Sequence, residues 1–159
     1  MIWGDLVTKQ AVRVANFLNV LAEDFVPIWK AKLLYLQGGR NTEPLQRLVV
    51  YVKLQEILVF FATQELEALP EETNLRRYEP VSLVVGDFQI DAEMLKSPMS
   101  EMSALLMVAK DPFMPFYRAS VSCLSHPWLG TFQTSMVQVQ RERMLLTLTE
   151  VIPTKPFDL

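Results

Sequence analysis

The chain has 159 residues and a formal net charge of −3, and half of its residues are hydrophobic when Ala and Cys are included. Its length suits one domain, or two small cooperating halves that share a core. Nucleic-acid binding depends on neutralising phosphates, which usually leaves a basic surface. The acidic balance therefore argues against a DNA or RNA partner, and the high hydrophobic content favours apolar surface that contacts another protein.

Cysteine usage and the apolar runs bear on location. Cys123 is the only cysteine, so an internal disulfide is impossible and a reducing compartment is the simplest interpretation. The first residues have no basic segment followed by an unbroken apolar stretch, as a secretion signal requires. The longest apolar run, residues 49–62, is too short to cross a membrane and contains Lys53 and Glu56. We therefore predict a cytoplasmic protein with no integral membrane segment, and peripheral membrane contact is left open.

The N-terminal half carries a helical pattern. Apolar residues recur at alternating steps of four and three across residues 5–36, which predicts a long amphipathic helix that Pro27 kinks, or in which Pro27 starts a second helix. Residues 37–39 (Gln-Gly-Gly) supply a stop signal, and Thr42 is a good N-cap for a second helix. The two helices are expected to form an antiparallel hairpin that occupies residues 1–70.

The second helix is predicted over residues 49–62, whose sequence VVYVKLQEILVFFA is apolar on nearly every side. The β-branched and aromatic residues make strands over 49–52 and 57–61 the alternative. We favour a helix because the polar residues between those two runs include no turn former.

After a polar linker near residue 70 the pattern changes to that of strands. Gly86 and Asp87 separate an apolar run from an alternating one, which is typical of a β-hairpin. The predicted elements are strands over 81–85, 88–94, 113–124, 131–140 and 143–151, with a short helix over 100–109. No internal repeat is predicted. The expected fold class is α+β, with an N-terminal antiparallel helical hairpin (1–70), a small five-stranded antiparallel sheet or partly open barrel with one short inserted helix (75–152), and a tail (153–159).

Three stretches of the second half share the alternation of a small barrel. They are residues 84–95 (VVGDFQIDAEML), 111–122 (DPFMPFYRASVS) and 136–148 (MVQVQRERMLLTL). On these stretches, residues 81–149 resemble the small Sm- or SH3-like β-barrel domains of uncharacterised bacterial proteins. The resemblance implies that the five strands curl into a small barrel, and it does not extend to the N-terminal half.

No group of residues forms a recognisable catalytic or metal-binding motif. Cys123 and His126 lie three residues apart on predicted extended backbone, so their side chains should point to opposite faces. Asp87, Asp91 and Glu93 have the spacing of alternating strand positions rather than of a calcium loop. The glycines are scattered and form no phosphate-binding loop. We therefore expect no enzymatic activity, no cofactor and no metal.

Four residues are candidates for a protein interface. Tyr51, Leu58 and Phe60 point in different directions from the predicted second helix, more than one partner helix and one sheet can cover. Trp128 lies in a predicted turn, where an apolar ring is placed to touch another surface. The leading hypothesis is a non-catalytic interaction or assembly protein that acts as a homo-oligomer or as a subunit of a larger complex.

Arg76 and Arg77 are the candidates for a ligand. They immediately precede the first predicted barrel strand, a position where small barrels that bind cyclic dinucleotides carry phosphate-binding arginines. The further arginine and the acidic-x-Ser-x-x-Gly stretch of that family are absent here. The alternative hypothesis, which depends on Arg76 and Arg77, is a sensor of a small anionic, nucleotide-type ligand.

Overall fold

The structure is a computed structural model that describes residues 1–8, 14–20, 23–34, 43–61 and 69–148. Its elements in chain order are β1 (Ile2–Asp5), α1 (Val14–Val20), β2 (Phe25–Leu33), β3 (Leu45–Lys53), β4 (Val59–Phe60), β5 (Arg77–Val85), β6 (Phe88–Lys96), α2 (Met102–Val108), β7 (Phe113–Cys123), β8 (Thr131–Gln140) and β9 (Met144–Leu148). Short 3-10 turns span Leu54–Glu56, Pro127–Leu129 and Arg141–Arg143. The strands form two antiparallel sheets, one in the order β1-β2-β3 and one, shaped like a half-barrel, in the order β4-β8-β7-β6-β5-β9.

The predicted N-terminal helical hairpin is wrong, and with it the predicted fold class. The described part of this half contains one short helix, α1, and an antiparallel pair, β2 and β3, that runs from Phe25↔Lys53 to Leu33↔Leu45. Apolar residues continue at steps of four and three from α1 into β2, so the sequence pattern simulated one long helix. The predicted helix stop at 37–39 lies outside the described residues, as do the N-cap Thr42 and the tail 153–159.

Residues 49–61 form strands on either side of a turn, which is the alternative that the sequence had left open. β3 and β4 flank the 3-10 turn Leu54–Glu56, which contains neither Gly nor Pro. The valines and aromatic residues on both sides fit an extended backbone. The helix was preferred for lack of a turn former, and this turn forms without one.

Pro27 is tolerated in β2 because its nitrogen, which carries no hydrogen, faces away from β3. Residues of an antiparallel strand alternate between facing the partner strand and facing away. The Leu54 N–H donates to the Asp24 carbonyl at 2.7 Å, and this alternation turns the nitrogen of Pro27 away from β3. β1 ends before it reaches this position, so the proline removes no hydrogen bond from the sheet.

The second half has its elements in the predicted order. β5 and β6 are joined by the two-residue turn of Gly86 and Asp87, in which Gly86 has a φ of 54° that favours glycine. α2 follows β6, and β7, β8 and β9 complete this half. The sheet has six strands rather than five, because β4 arrives from the first half and pairs with β8.

The two halves repeat one arrangement of elements, and the expectation of no internal repeat is wrong. β1, α1, β2, β3, the 3-10 turn Leu54–Glu56 and β4 correspond in order to β6, α2, β7, β8, the 3-10 turn Arg141–Arg143 and β9. The 3-10 turn Pro127–Leu129, between β7 and β8, has no counterpart among the described residues of the first half. The described residues of α1, 14–20, correspond to those of α2, 102–108, at an offset of 88 positions. The turns Leu54–Glu56 and Arg141–Arg143 start 87 positions apart. β5 has no counterpart among the described residues of the first half.

One stretch of sequence carries the repeat openly. Residues 25–31 have the sequence FVPIWKA and residues 113–119 have FMPFYRA, so Phe, Pro and Ala recur and the other positions change conservatively. The third residue from the start is proline in both, and it lies past the last residue pair with the preceding strand in both. The halves are therefore related in sequence as well as in element order.

The same β-bulge marks both stretches. Lys30 and Arg118 have positive φ angles of 48° and 49°, and at each the register with the preceding strand shifts by one residue. Each basic side chain pairs with a carboxylate on that preceding strand, Lys30 with Asp5 at 3.1 Å and Arg118 with Glu93 at 2.5 Å. The bulge, the positive φ angle and the ion pair therefore all recur at one position of the repeat, which supports the relation between the two halves.

Each half has its own hydrophobic core, and the two cores use equivalent positions. The first centres on Leu18 and Val26, and the second contains Leu83, Ile90 and Phe116. The equivalent core pairs are Leu6 and Met94, Val14 and Met102, Leu18 and Leu106, Val26 and Met114, Ile28 and Phe116, and Ile57 and Met144. The chain is thus built from two related units, each with its own apolar centre.

Candidate functional site

The two units are joined along β4 and β8, and we call this contact the joint. Val59 lies opposite Val139 and Phe60 opposite Gln138, and the Gln140 N–H donates to the Leu58 carbonyl at 2.8 Å. β4, the last strand of the first unit, therefore adds to the outer edge of β8 in the second.

Side chains of the first unit complete the joint. The Phe60 ring meets the Phe113 ring edge-on with centroids 5.0 Å apart. The Asn19 side chain accepts from the Phe113 N–H at 3.0 Å and donates to its carbonyl at 3.3 Å. The Gln140 amide donates to the Gln55 carbonyl at 3.2 Å. Both faces of the contact are thus satisfied by apolar packing and by hydrogen bonds.

Burial at equivalent positions differs sharply between the units. Residues 137–140 are all buried in the joint, and Phe113 is 1% exposed. The equivalent residues 50–53 alternate between half-buried and exposed, and the equivalent Phe25 is 49% exposed. The joint covers these residues in the second unit. The equivalent surface of the first unit is therefore uncovered.

We call the uncovered edge of β3 the open face. Phe25, Tyr51 and Lys53 lie on one side of the sheet at this edge, and Leu48 lies on the other side, because side chains alternate along a strand. Leu48 is 75% exposed and Tyr51 is 66% exposed. β3 pairs only with β2 among the described strands, and the ladder alternation points the N–H groups of Tyr51 and Lys53 away from β2. The open face combines unpaired backbone groups with large apolar side chains.

The predicted interface residues are distributed over different parts of the molecule. Tyr51 lies on the open face. Leu58 and Phe60 are half-buried and pack against the second and first cores, respectively, so they hold the two units of one chain together. Trp128 is 41% exposed in its 3-10 turn, with its ring 6.1 Å from that of His126. The structure therefore separates these four residues instead of gathering them on one surface.

Cys123 and His126 are closer than the sequence led us to expect. β7 ends at Cys123 and the chain bends, which brings the thiol within 3.9 Å of His126 Nδ1. The Ser125 hydroxyl lies 2.8 Å from the same nitrogen and donates to an Asp87 carboxylate oxygen at 3.2 Å. Because the hydroxyl stands between ring and carboxylate, the acid orients the serine and not the imidazole, unlike a catalytic triad. The cluster fastens the β5–β6 turn to the end of β7.

Cys123→Ala is expected to lower the free energy of unfolding by about 1 kcal/mol, because the thiol is buried at 5% exposure and its loss leaves a small cavity. Denaturant unfolding monitored by circular dichroism measures this change. We also expect slow reaction of the native thiol with a labelling reagent, compared with the unfolded chain. Rapid native-state labelling at neutral pH contradicts the structural role.

Arg76 and Arg77 are exposed at the start of β5. The backbone of Arg76 forms a small bridge with Thr73, and Arg77 lies opposite Lys96. Burial raises the pKa of the adjacent Tyr78, and Arg118, whose guanidinium lies 4.5 Å from the centre of its ring, opposes that rise. These arginines do not line the shallow depression formed by Glu79, Lys96 and residues 98–103, or the one between β2 and β3. Ligand binding by Arg76 and Arg77 stays a prediction.

Further observations concern metal binding, membrane-spanning helices and similarity to known proteins. Within the described residues, no three His, Cys, Asp or Glu side chains are placed to hold one metal ion. No described helix has the length and hydropathy needed to span a membrane. Protein-family models, curated proteins and solved structures yield no match to this chain. The function is therefore inferred from the geometry of this molecule.

Proposed function

We infer that this chain is a non-catalytic assembly protein, acting as a homo-oligomer or as a subunit of a larger complex. The observation that supports this most is the open face. Unpaired strand edges accept further strands, and folded proteins normally shield them with charges, prolines or covering segments. Here the edge carries Leu48 and Tyr51, both mostly exposed.

The joint supports the same proposal by example. Within one chain, an edge strand of this type is already used to attach a neighbouring unit, through β4 and β8. The contact combines strand pairing with apolar side chains, which is a recurrent way to recognise an extended segment. A sensor role for Arg76 and Arg77 has less support, because neither arginine lines the shallow depression that Lys96, opposite Arg77, borders.

Placing two charges on the open face tests the proposal. In Leu48→Lys/Tyr51→Lys, the lysines replace apolar groups that contact a partner in the assembled state. We expect the wild-type chain to sediment as an assembly at micromolar concentration and the double variant to sediment as a monomer. Sedimentation velocity measures both.

The matched control is Leu75→Lys/Met99→Lys, since Leu75 and Met99 are 77% and 92% exposed but lie outside the open face. This control should assemble like the wild type. A wild-type chain that remains monomeric throughout the micromolar range speaks against self-association, and equal dissociation of both double variants speaks against the open face.

A further inference from the structure

We propose that the open face binds the open face of a second copy, so that the two β3 strands run antiparallel about a two-fold axis. This inference rests on the proposed function and names its partner as a second copy of the chain. The joint contains an equivalent contact, because Gln138 and Gln140, the counterparts of Tyr51 and Lys53, pair with β4. Among the described strands, β3 has no such partner on this edge.

The backbone of β3 restricts the registers in which two copies can pair. The alternation of an antiparallel strand directs the N–H and C=O of every second residue away from β2. On β3 the outward-directed residues are Leu45, Arg47, Val49, Tyr51 and Lys53. Each hydrogen-bonded pair between copies therefore joins two residues of this set, and neighbouring registers differ by a shift of two residues.

The charges at this edge favour one register. When Leu48 lies opposite Leu48 of the second copy, Lys53 lies opposite Glu43, which immediately precedes Pro44 and β3. A shift of two residues in one direction places Arg47 opposite Arg47. The same shift in the other direction places Lys53 opposite Leu45 and removes the ion pair. Opposite charges that face each other stabilise a strand pair and like charges destabilise it, so the register centred on Leu48 is favoured.

Glu43 and Lys53 are available for this contact. Both side chains are exposed, and neither takes part in an ion pair within the part of the chain that the structure describes. The alternation along β3 directs the nitrogen of Pro44 toward β2, so its missing N–H removes no hydrogen bond between the copies. The pairing can therefore extend from β3 to Glu43.

Apolar side chains face each other on both sides of the sheet in this register. Leu48 is 75% exposed in the single chain and meets its own copy in a non-hydrogen-bonded pair, where side chains are closest. On the other side of the sheet, Tyr51 lies opposite Leu45, and these residues are 66% and 39% exposed in the single chain. A strand from a second copy thus covers both sides of the edge at once.

The position of Arg47 is also compatible with this register. Its diagonal neighbours on the second copy are Arg47 and Tyr51, at Cα distances of roughly 7–8 Å. The tyrosine ring offers the guanidinium a cation–π contact, which offsets the like charge of the second arginine.

The two-fold axis sets the size of the assembly. The same surface meets itself in this contact, so the pairing uses the open face of both copies and leaves none for a third. The three-stranded sheets of two chains become one six-stranded sheet, and the expected species is a closed dimer.

Oxidation of single cysteines tests the register. Only a residue on the two-fold axis lies opposite its own copy, so Leu48→Cys in a Cys123→Ala background should form a disulfide-linked dimer. The two Cα atoms would be about 4.5 Å apart, within the range of a disulfide. The matched control is Gln46→Cys, exposed on the same side of β3. Its two copies would lie four residues apart along the strand pair, roughly 13 Å.

We expect mild oxidation to link Leu48→Cys at least about tenfold faster than Gln46→Cys. Equal rates, in a wild-type chain that assembles, contradict this pairing and leave the proposed function standing. A wild-type chain that grows beyond a dimer contradicts the two-fold contact. A wild-type chain that never assembles contradicts both this pairing and self-association.

A charge exchange tests the ion pairs between Lys53 and Glu43. Lys53→Glu places two carboxylates opposite each other, so the dimer should dissociate about tenfold more readily at low salt. Adding Glu43→Lys should restore the wild-type affinity. The control is Lys110→Glu, the same change of charge at an exposed residue after α2, and it should leave the dimer unaltered. If Lys53→Glu and Lys110→Glu dimerise equally well, Lys53 does not face Glu43.

Discussion

Phe113→Ala is expected to lower the free energy of unfolding by about 3–5 kcal/mol, the usual effect of truncating a fully buried phenylalanine. The ring is 1% exposed and packs against Phe60, 5.0 Å away. Although Phe113 belongs to β7, it lies in the core of the first unit with Leu18 and Val26. Its removal therefore weakens one core and the joint at the same time.

The repeat provides a matched control in Phe25→Ala. This is the same residue type at the equivalent position, but the ring is 49% exposed, so we expect a loss of only about 1 kcal/mol in the dilute, monomeric chain. Urea unfolding followed by circular dichroism at low protein concentration measures both variants. If Phe113→Ala does not fold, Phe113→Leu keeps the comparison. Similar losses at both positions contradict the account of the joint.

Tyr51→Lys is expected to weaken self-association roughly 10- to 100-fold while leaving the fold intact. Burying a large apolar side chain contributes about 1.5–3 kcal/mol, and each 1.4 kcal/mol is about a factor of ten in affinity. Tyr51 is 66% exposed in the single chain, so its replacement should change the free energy of unfolding by only a few tenths of a kcal/mol. Sedimentation velocity over a dilution series measures the shift.

Leu75→Lys is the control for this variant. Leu75 is 77% exposed in the turn before β5, away from the open face, and its replacement should not alter assembly. If the Leu75 and Tyr51 variants assemble equally well, the open face is not part of the contact.

The sequence predicted the second unit far better than the first. Strict alternation around Gly86 and Asp87 identifies a hairpin because a two-residue turn and a period of two are specific to strands. In the first unit, apolar residues of α1 and β2 happen to follow one helical spacing, and the turn Leu54–Glu56 contains no turn former. Local pattern cannot separate a helix from a helix and a strand under those conditions.

Three of the four interface candidates, Tyr51, Leu58 and Phe60, were chosen from a predicted helix that the structure replaces with strands, and this limits what they explain. Tyr51 lies on the open face because β3 is an edge strand, which depends on sheet order and not on local sequence. Leu58 and Phe60 are covered by the other unit of the same chain. The signal that could have found the joint is the match between residues 25–31 and 113–119, since it predicts two related units.

The sequence also misplaced the side chains around Cys123. Alternation along an extended strand predicts opposite faces for residues three apart, but the strand ends at Cys123 and the bend reverses that relation. The Asp87 contact comes from a different hairpin, so no local spacing could indicate it.

The most direct measurement of the central claim is the mass of the wild-type chain in solution, compared with the mass of Leu48→Lys/Tyr51→Lys. Sedimentation equilibrium over the micromolar range should show the wild type as an assembly and the double variant as a monomer. A wild type that stays monomeric, or a double variant that assembles as tightly as the wild type, contradicts the proposal that the open face is the site of assembly.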